Sequence, residues 1–189
     1  YDKPRTNLYG KGFTYTNTVD SLNIDRDDIV KKIQTKYFDK IIYGSVHRNR
    51  QYLDIVLQTY SSKDIIFIDG EDLTEHYNHL ECVDDVIGKG LYFKREYTGK
   101  NPKILPIQFC IPACKVTDNF TKTKTLASLI PCKYETYTFT DESLYYNDYK
   151  SSMFAITMKK GGWDCLRHYE ILGCGCIPIF QNLHDKEEN

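Results

Sequence analysis

The chain has 189 residues, 41% of them hydrophobic and 14% aromatic, enough for one substantial core or for two smaller ones. Its 25 Lys and Arg stand against 26 Asp and Glu, a formal charge of -1, which excludes the broadly basic surface that nucleic-acid binding requires. No apolar run approaches the roughly 18–20 residues of a membrane span, and no signal-like apolar segment opens the chain.

Residues 1–22 carry no sustained period. Tyr9, Gly10, Gly12, Phe13 and Tyr15 form an aromatic and glycine cluster there, which reads either as packing or as a stacking surface for sugar rings. Residues 25–37 place acids first, apolar Ile29, Val30 and Ile33 within and lysines later, the charge order of a helix. A short strand, 40–43, follows and stops at Gly44. A helix over 48–60 (Leu53, Val56, Leu57 and Tyr60 on one side), a strand over 64–70 and a helix over 71–80 come next. Two more extended segments are predicted at 90–96 and 103–109, the second demoted to an edge or broken strand by Pro106. Helix and strand alternating at this spacing predict parallel sheets in an α/β layer.

Apolar periodicity lapses over 111–125, which reads as a linker and divides the chain into modules 1–115 and 116–189. Beyond it lie a Tyr-rich helix at 142–150 and a strand at 153–157. Then comes GGWDCLRHYEILGCGCIPIF (161–180), a glycine loop, a helix and a strand. Asp164 is placed to cap that helix, whose free amides and dipole make an anion site, with Lys159, Lys160, Gly161 and Gly162 beside it. On a wheel, Cys165, Leu166, Tyr169 and Leu172 share the face expected to be buried, and His168 lies toward the exposed flank. Arg167 and Glu170, three apart, present side chains to one volume. An Arg fork holds a diphosphate and a carboxylate accepts both hydroxyls of a ribose, although an ordinary surface ion pair has the same spacing. Gly173 and Gly175 end the helix.

The run from Arg167 through Glu170 to Gly175, Ile177 and Pro178 resembles the donor-site segment of GT-B glycosyltransferases, closest to the exostosin-like branch. The resemblance covers 151–183, with a fainter likeness at 91–96 and 104–107. It implies Rossmann-like parallel sheets with flanking helices, in an incomplete or reduced GT-B arrangement with an acceptor-side and a donor-side module. It implies a nucleotide-diphosphate sugar as donor substrate, with no further cofactor, and a carbohydrate or glycosylated acceptor whose hydroxyl is glycosylated. Glu170 would bind the ribose, Arg167 the phosphates, and Gly161 and Gly162 the loop beside them. Gly162 stands where many GT-B enzymes carry a further acid. No catalytic base is assigned; Asp20, Asp69 and Glu96 flank strand ends or loops.

Two other readings stand beside it: an α/β recognition module without catalysis, and a metal-dependent GT-A-like transferase using Asp69, Glu71 and Asp72. His76, His79, Cys110 and Cys114 miss the spacing of structural zinc sites and of the common metalloprotease pattern. The seven cysteines (Cys82, Cys110, Cys114, Cys132, Cys165, Cys174 and Cys176) lack framework spacing and read as reduced thiols, which favours a reducing compartment. Asn119 begins a glycosylation sequon that matters only on a secretory route.

Overall fold

A computed structural model describes residues 27–72, 83–97, 99, 101–119 and 121–186. These fall into two compact units, divided between Gln108 and Phe109. Both are α/β units built on parallel strands, as the alternation of periods predicts, with flanking helices in a Rossmann-like arrangement.

In the first unit, α1 (Ile29–Gln34), β1 (Ile41–Gly44), α2 (Leu53–Thr59), β2 (Ile65–Asp69), β3 (Leu91–Lys94) and β4 (Ile104–Pro106) follow in order. The strands lie in the order β1-β2-β3-β4, all parallel, with Tyr43, Phe67 and Tyr92 in register across the first three. β-branched and aromatic residues fill β2, and their alternation sends Ile65, Phe67 and Asp69 to the covered face. Ile33 of α1 and Leu53 and Val56 of α2 pack there, with Val46, Tyr60, Val83, Val86, Tyr92 and Ile104, to form the core. On the opposite face Ile42, Leu91 and Leu105 are exposed. Pro106 ends the edge strand, where its missing N–H leaves no ladder bond unmade. The first helix runs Ile29–Gln34, within its 25–37 expectation: Asp28 sits left-handed at φ 55 and makes no side-chain cap, so Asp27 ahead of it does not extend the helix. The helix expected over 71–80, His76 and His79 included, lies largely outside the described residues.

The second unit holds β5 (Lys124–Leu126), α3 (Glu142–Ser151), β6 (Ser152–Thr157), α4 (Leu166–Gly173) and β7 (Ile177–Phe180), with strand order β5-β6-β7, again parallel. β5 begins within the last residues of the stretch expected to be a linker, 111–125; its polar residues disguise an edge strand whose Lys124 reaches the buried Asp148 carboxylate. Asp141 caps α3, its Oδ1 accepting from Ser143 N (2.8 Å) and Leu144 N (3.2 Å). Tyr145, Tyr146 and Tyr149 of α3 and Ile171 of α4 close over Ala155 of β6, with Ala127, Leu129, Cys174 and Cys176 completing the core.

α4 ends as its glycines predict. Gly175 takes φ 62, its N–H reaches Leu172 O (2.9 Å), and Cys176 N reaches Ile171 O (3.1 Å), a paired closure of the last carbonyls that needs a left-handed residue. Its buried face differs from the wheel reading. Leu172 is 58% exposed and Tyr169 half-buried, whereas His168, Glu170 and Ile171 are buried. Glu170 takes the inner stripe because α3 meets it with the Tyr145 and Tyr146 hydroxyls, and His168 because its ring packs edge-on against Phe180 of β7.

Candidate functional site

The loop after β6 carries four of the six residues expected at the site. Lys159 and Lys160 are exposed, with Lys159 Nζ 5.8 Å from the centre of the Trp163 ring and its N–H donating to Asn182 Oδ1 (3.3 Å). Lys160 N donates to Gly162 O (3.3 Å), which folds the double glycine into a tight bend with Gly161 exposed and Gly162 buried. Asp164 does not cap α4. Its carboxylate accepts Phe109 N (2.9 Å) and the Tyr169 hydroxyl (2.7 Å), and the cap position falls to Cys165, which makes no capping bond and donates its thiol to Gly162 O (3.1 Å). The first amides of α4 therefore have no side-chain cap of their own.

Arg167 and Glu170 turn away from solvent into one cluster of phenols. The Glu170 carboxylate is buried and accepts a hydroxyl on each oxygen: Tyr145 on Oε2 at 2.6 Å and Tyr146 on Oε1 at 3.1 Å. Burial pushes its pKa up, and the two hydroxyls with Arg167 pull part of the way back. The half-buried Arg167 guanidinium lies 6.0 Å from the centre of the Tyr137 ring. Burial opposes its charge, but the phenols of Tyr149, Tyr145 and Tyr137 outweigh that effect and hold its pKa above the ordinary value. Tyr146, which binds Glu170, also lines a cleft of about 210 Å³ with Cys114, Lys115, Glu142 and Lys150. Within that lining Lys115 Nζ stands 2.7 Å from Glu142 and 5.2 Å from the Tyr146 ring centre. His168, expected on the exposed flank, is buried with its ring edge-on to Phe180 at 4.8 Å.

In the first unit a second polar cluster gathers at the carboxyl ends of β1, β2 and β3, the edge where open parallel sheets receive ligands. Asp69 is fully buried; it accepts the Tyr92 hydroxyl (3.0 Å) and Glu71 N (3.0 Å), and Lys94, in register on β3 and equally buried, stands 3.7 Å away. His47 lies between Asp69 (3.7 Å from Nδ1) and Glu71 (3.0 Å from Nε2), and Glu71 also meets Arg48. Asp72 pairs with Arg95, which donates to Gly70 O as well. The 69–72 carboxylates are thus matched by the chain's own cations and hydroxyl, and among the described residues no group of three or more His, Cys, Asp or Glu side chains is arranged to hold a metal. Of the residues flanking strand ends, Glu96 is buried at 8% side-chain exposure beside Arg95, and Asp20 lies outside the described residues, as do Tyr9 to Tyr15.

Tyr145, Tyr146, His47 and Lys94 were not singled out by the sequence reading. Lys94 was accessible to it, because strict alternation from Tyr92 places it on the covered face. The tyrosines were not, since their partner lies 24 and 25 residues away on another helix. No protein-family model, no curated protein and no solved structure matches the chain.

Proposed function

We propose that the second unit binds a nucleotide-diphosphate sugar and that the chain is a glycosyltransferase, or a reduced form of one, acting on an acceptor hydroxyl. The observation that carries this reading is the Glu170 carboxylate, which accepts one hydroxyl on each oxygen while Arg167 on the same helix stays charged. A carboxylate offers about four lone-pair positions, so two remain for the cis hydroxyls of a ribose. The guanidinium supplies a planar donor fork for the diphosphate and stabilises the negative charge that grows on it as the sugar leaves. The uncapped start of α4 and the exposed Lys159 and Lys160 lie on the loop immediately preceding that helix. The resemblance of 151–183 to the exostosin-like donor segment supports the same assignment.

Calorimetric titration with UDP, GDP and their sugars tests it. Wild type should bind one nucleotide class. Arg167→Ala and Glu170→Ala should each weaken that binding roughly 10- to 100-fold, the worth of about 1.5–3 kcal/mol for charge-assisted bonds. Failure of every nucleotide to bind wild type sinks the donor site. A second reading, a recognition module without transferase activity, is favoured by one observation: protein hydroxyls already occupy both oxygens of Glu170. Nucleotide binding with no transfer across a broad acceptor panel selects it.

A further inference from the structure

We propose that Tyr134 and Tyr137 form a stacking platform, beside Arg167, for the sugar ring of a nucleotide-diphosphate sugar. The inference rests on the nucleotide-sugar reading, to which it adds the contact that recognises the transferred group. The two tyrosines stand three apart on a 3-10 turn, Tyr134–Thr136, and its cap residue, a spacing at which side chains lie one above the other. Their ring centres are 5.8 Å apart, with planes tilted by 36°. Both rings face solvent, Tyr134 83% and Tyr137 44% exposed, and the Arg167 guanidinium lies 6.0 Å from the Tyr137 ring centre.

The turn that carries the rings is braced. Thr136 Oγ1 accepts Ile130 N (3.0 Å) and donates to Lys133 O (2.7 Å), while Lys133 N reaches Ile130 O (3.2 Å) and Tyr137 N reaches Tyr134 O (3.1 Å). Leu129 anchors the segment in the second core, and Cys132 Sγ lies 3.6 Å from the Sδ of Met158, the residue before Lys159. Neither ring belongs to the core, so packing does not account for two large aromatic surfaces held toward water on a fixed turn. The order of groups along α4 selects the part of the ligand they meet. In the nucleotide-sugar reading Glu170 takes the ribose, from which the base hangs, and Arg167, one turn nearer the helix start, takes the diphosphate. The far phosphate carries the sugar, and the platform borders Arg167. A pyranose turns a face of C–H bonds to the negative face of a phenol ring and keeps its hydroxyls at the rim.

Calorimetric titration separates the sugar's contribution from the nucleotide's. UDP, GDP and a panel of their hexose conjugates are titrated into wild type, Tyr134→Ala and Tyr134→Phe, with far-UV circular dichroism as the check on folding. Tyr134 carries the test because it is exposed and lies outside the core, so its replacement leaves the fold intact. Wild type should bind its preferred conjugate more tightly than the nucleotide alone. Tyr134→Ala should leave the affinity for the nucleotide unchanged and weaken the conjugate roughly 3- to 10-fold. Tyr134→Phe, which keeps the aromatic face, should retain the wild-type preference. Equal weakening of nucleotide and conjugate in Tyr134→Ala puts the ring against the base and overturns the proposal, as does an affinity for both that the substitution leaves unchanged. Loss of the preference in Tyr134→Phe assigns the effect to the hydroxyl and overturns stacking. If neither nucleotide nor conjugate binds wild type, the nucleotide-sugar reading itself falls and takes the platform with it, a result distinct from binding that ignores the tyrosine.

Discussion

Glu170 shows what a single buried carboxylate costs and what holds it. Its pKa is raised, chiefly by burial, so between the ordinary value of 4.5 and the higher folded value the folded chain binds the proton more readily than the unfolded chain does. Stability contributed by this group is therefore complete below about pH 4.5 and declines as pH rises through the folded value. Urea midpoints of wild type should carry this decline, and those of Glu170→Gln should lack it, leaving the variant relatively more stable at pH 7. Tyr145→Phe removes the shorter of the two hydroxyl bonds and leaves a buried oxygen short of a donor. We expect a loss of about 1–3 kcal/mol in urea unfolding, largely cancelled when it is combined with Glu170→Gln. In the other unit, Lys94→Met strands the Asp69 charge in a sealed site and should cost about 3–5 kcal/mol by the same measurement. The sequence showed that Arg167 and Glu170 share a flank. It did not show that the flank faces inward, because leucine at 172 and histidine at 168 argue for the opposite rotation when hydrophobicity alone is scored. Only the hydroxyls of Tyr145 and Tyr146 reverse that preference, and they belong to a different helix.

At the level of the element, strands were easier to read than helix ends. β2 was plain from Ile65 to Asp69, since an uninterrupted β-branched and aromatic run has no other comfortable place than a parallel sheet. β5 was missed: three residues with polar neighbours on a sheet edge carry too little apolar signal to stand out from a loop. Two glycines leave no room for a Cβ, and their contrast is testable. A Cβ on Gly90 would lie 2.6 Å from Ile65 O, a backbone atom inside the sheet, so Gly90→Ala must move β2 from β3 and should lower stability by about 1–3 kcal/mol. A Cβ on Gly173 meets the Ile111 side-chain tip at the same 2.6 Å, which a rotamer change relieves. Thermal unfolding should show a clear loss for Gly90→Ala and a much smaller effect for Gly173→Ala.

Taken whole, the chain is two α/β units with separate cores, one gathered around Phe67 and Tyr92 and the other around Tyr149 and Ile171. The alternation of periods made the class legible, and the parallel order followed from it, but nothing local in a sequence fixes which polar groups will be sealed at a strand's carboxyl end. Cys174 and Cys176 add a practical consequence. Both thiols are sealed in the second core, and burial raises Cys174 to about 11, so neither supplies a reactive thiolate at neutral pH, whereas Cys110, Cys114 and Cys132 face solvent. Alkylation of the native chain should thus stop at the accessible sulfurs, and the slow arrival of label at the sequestered pair becomes a clock that ticks only when this half of the molecule opens.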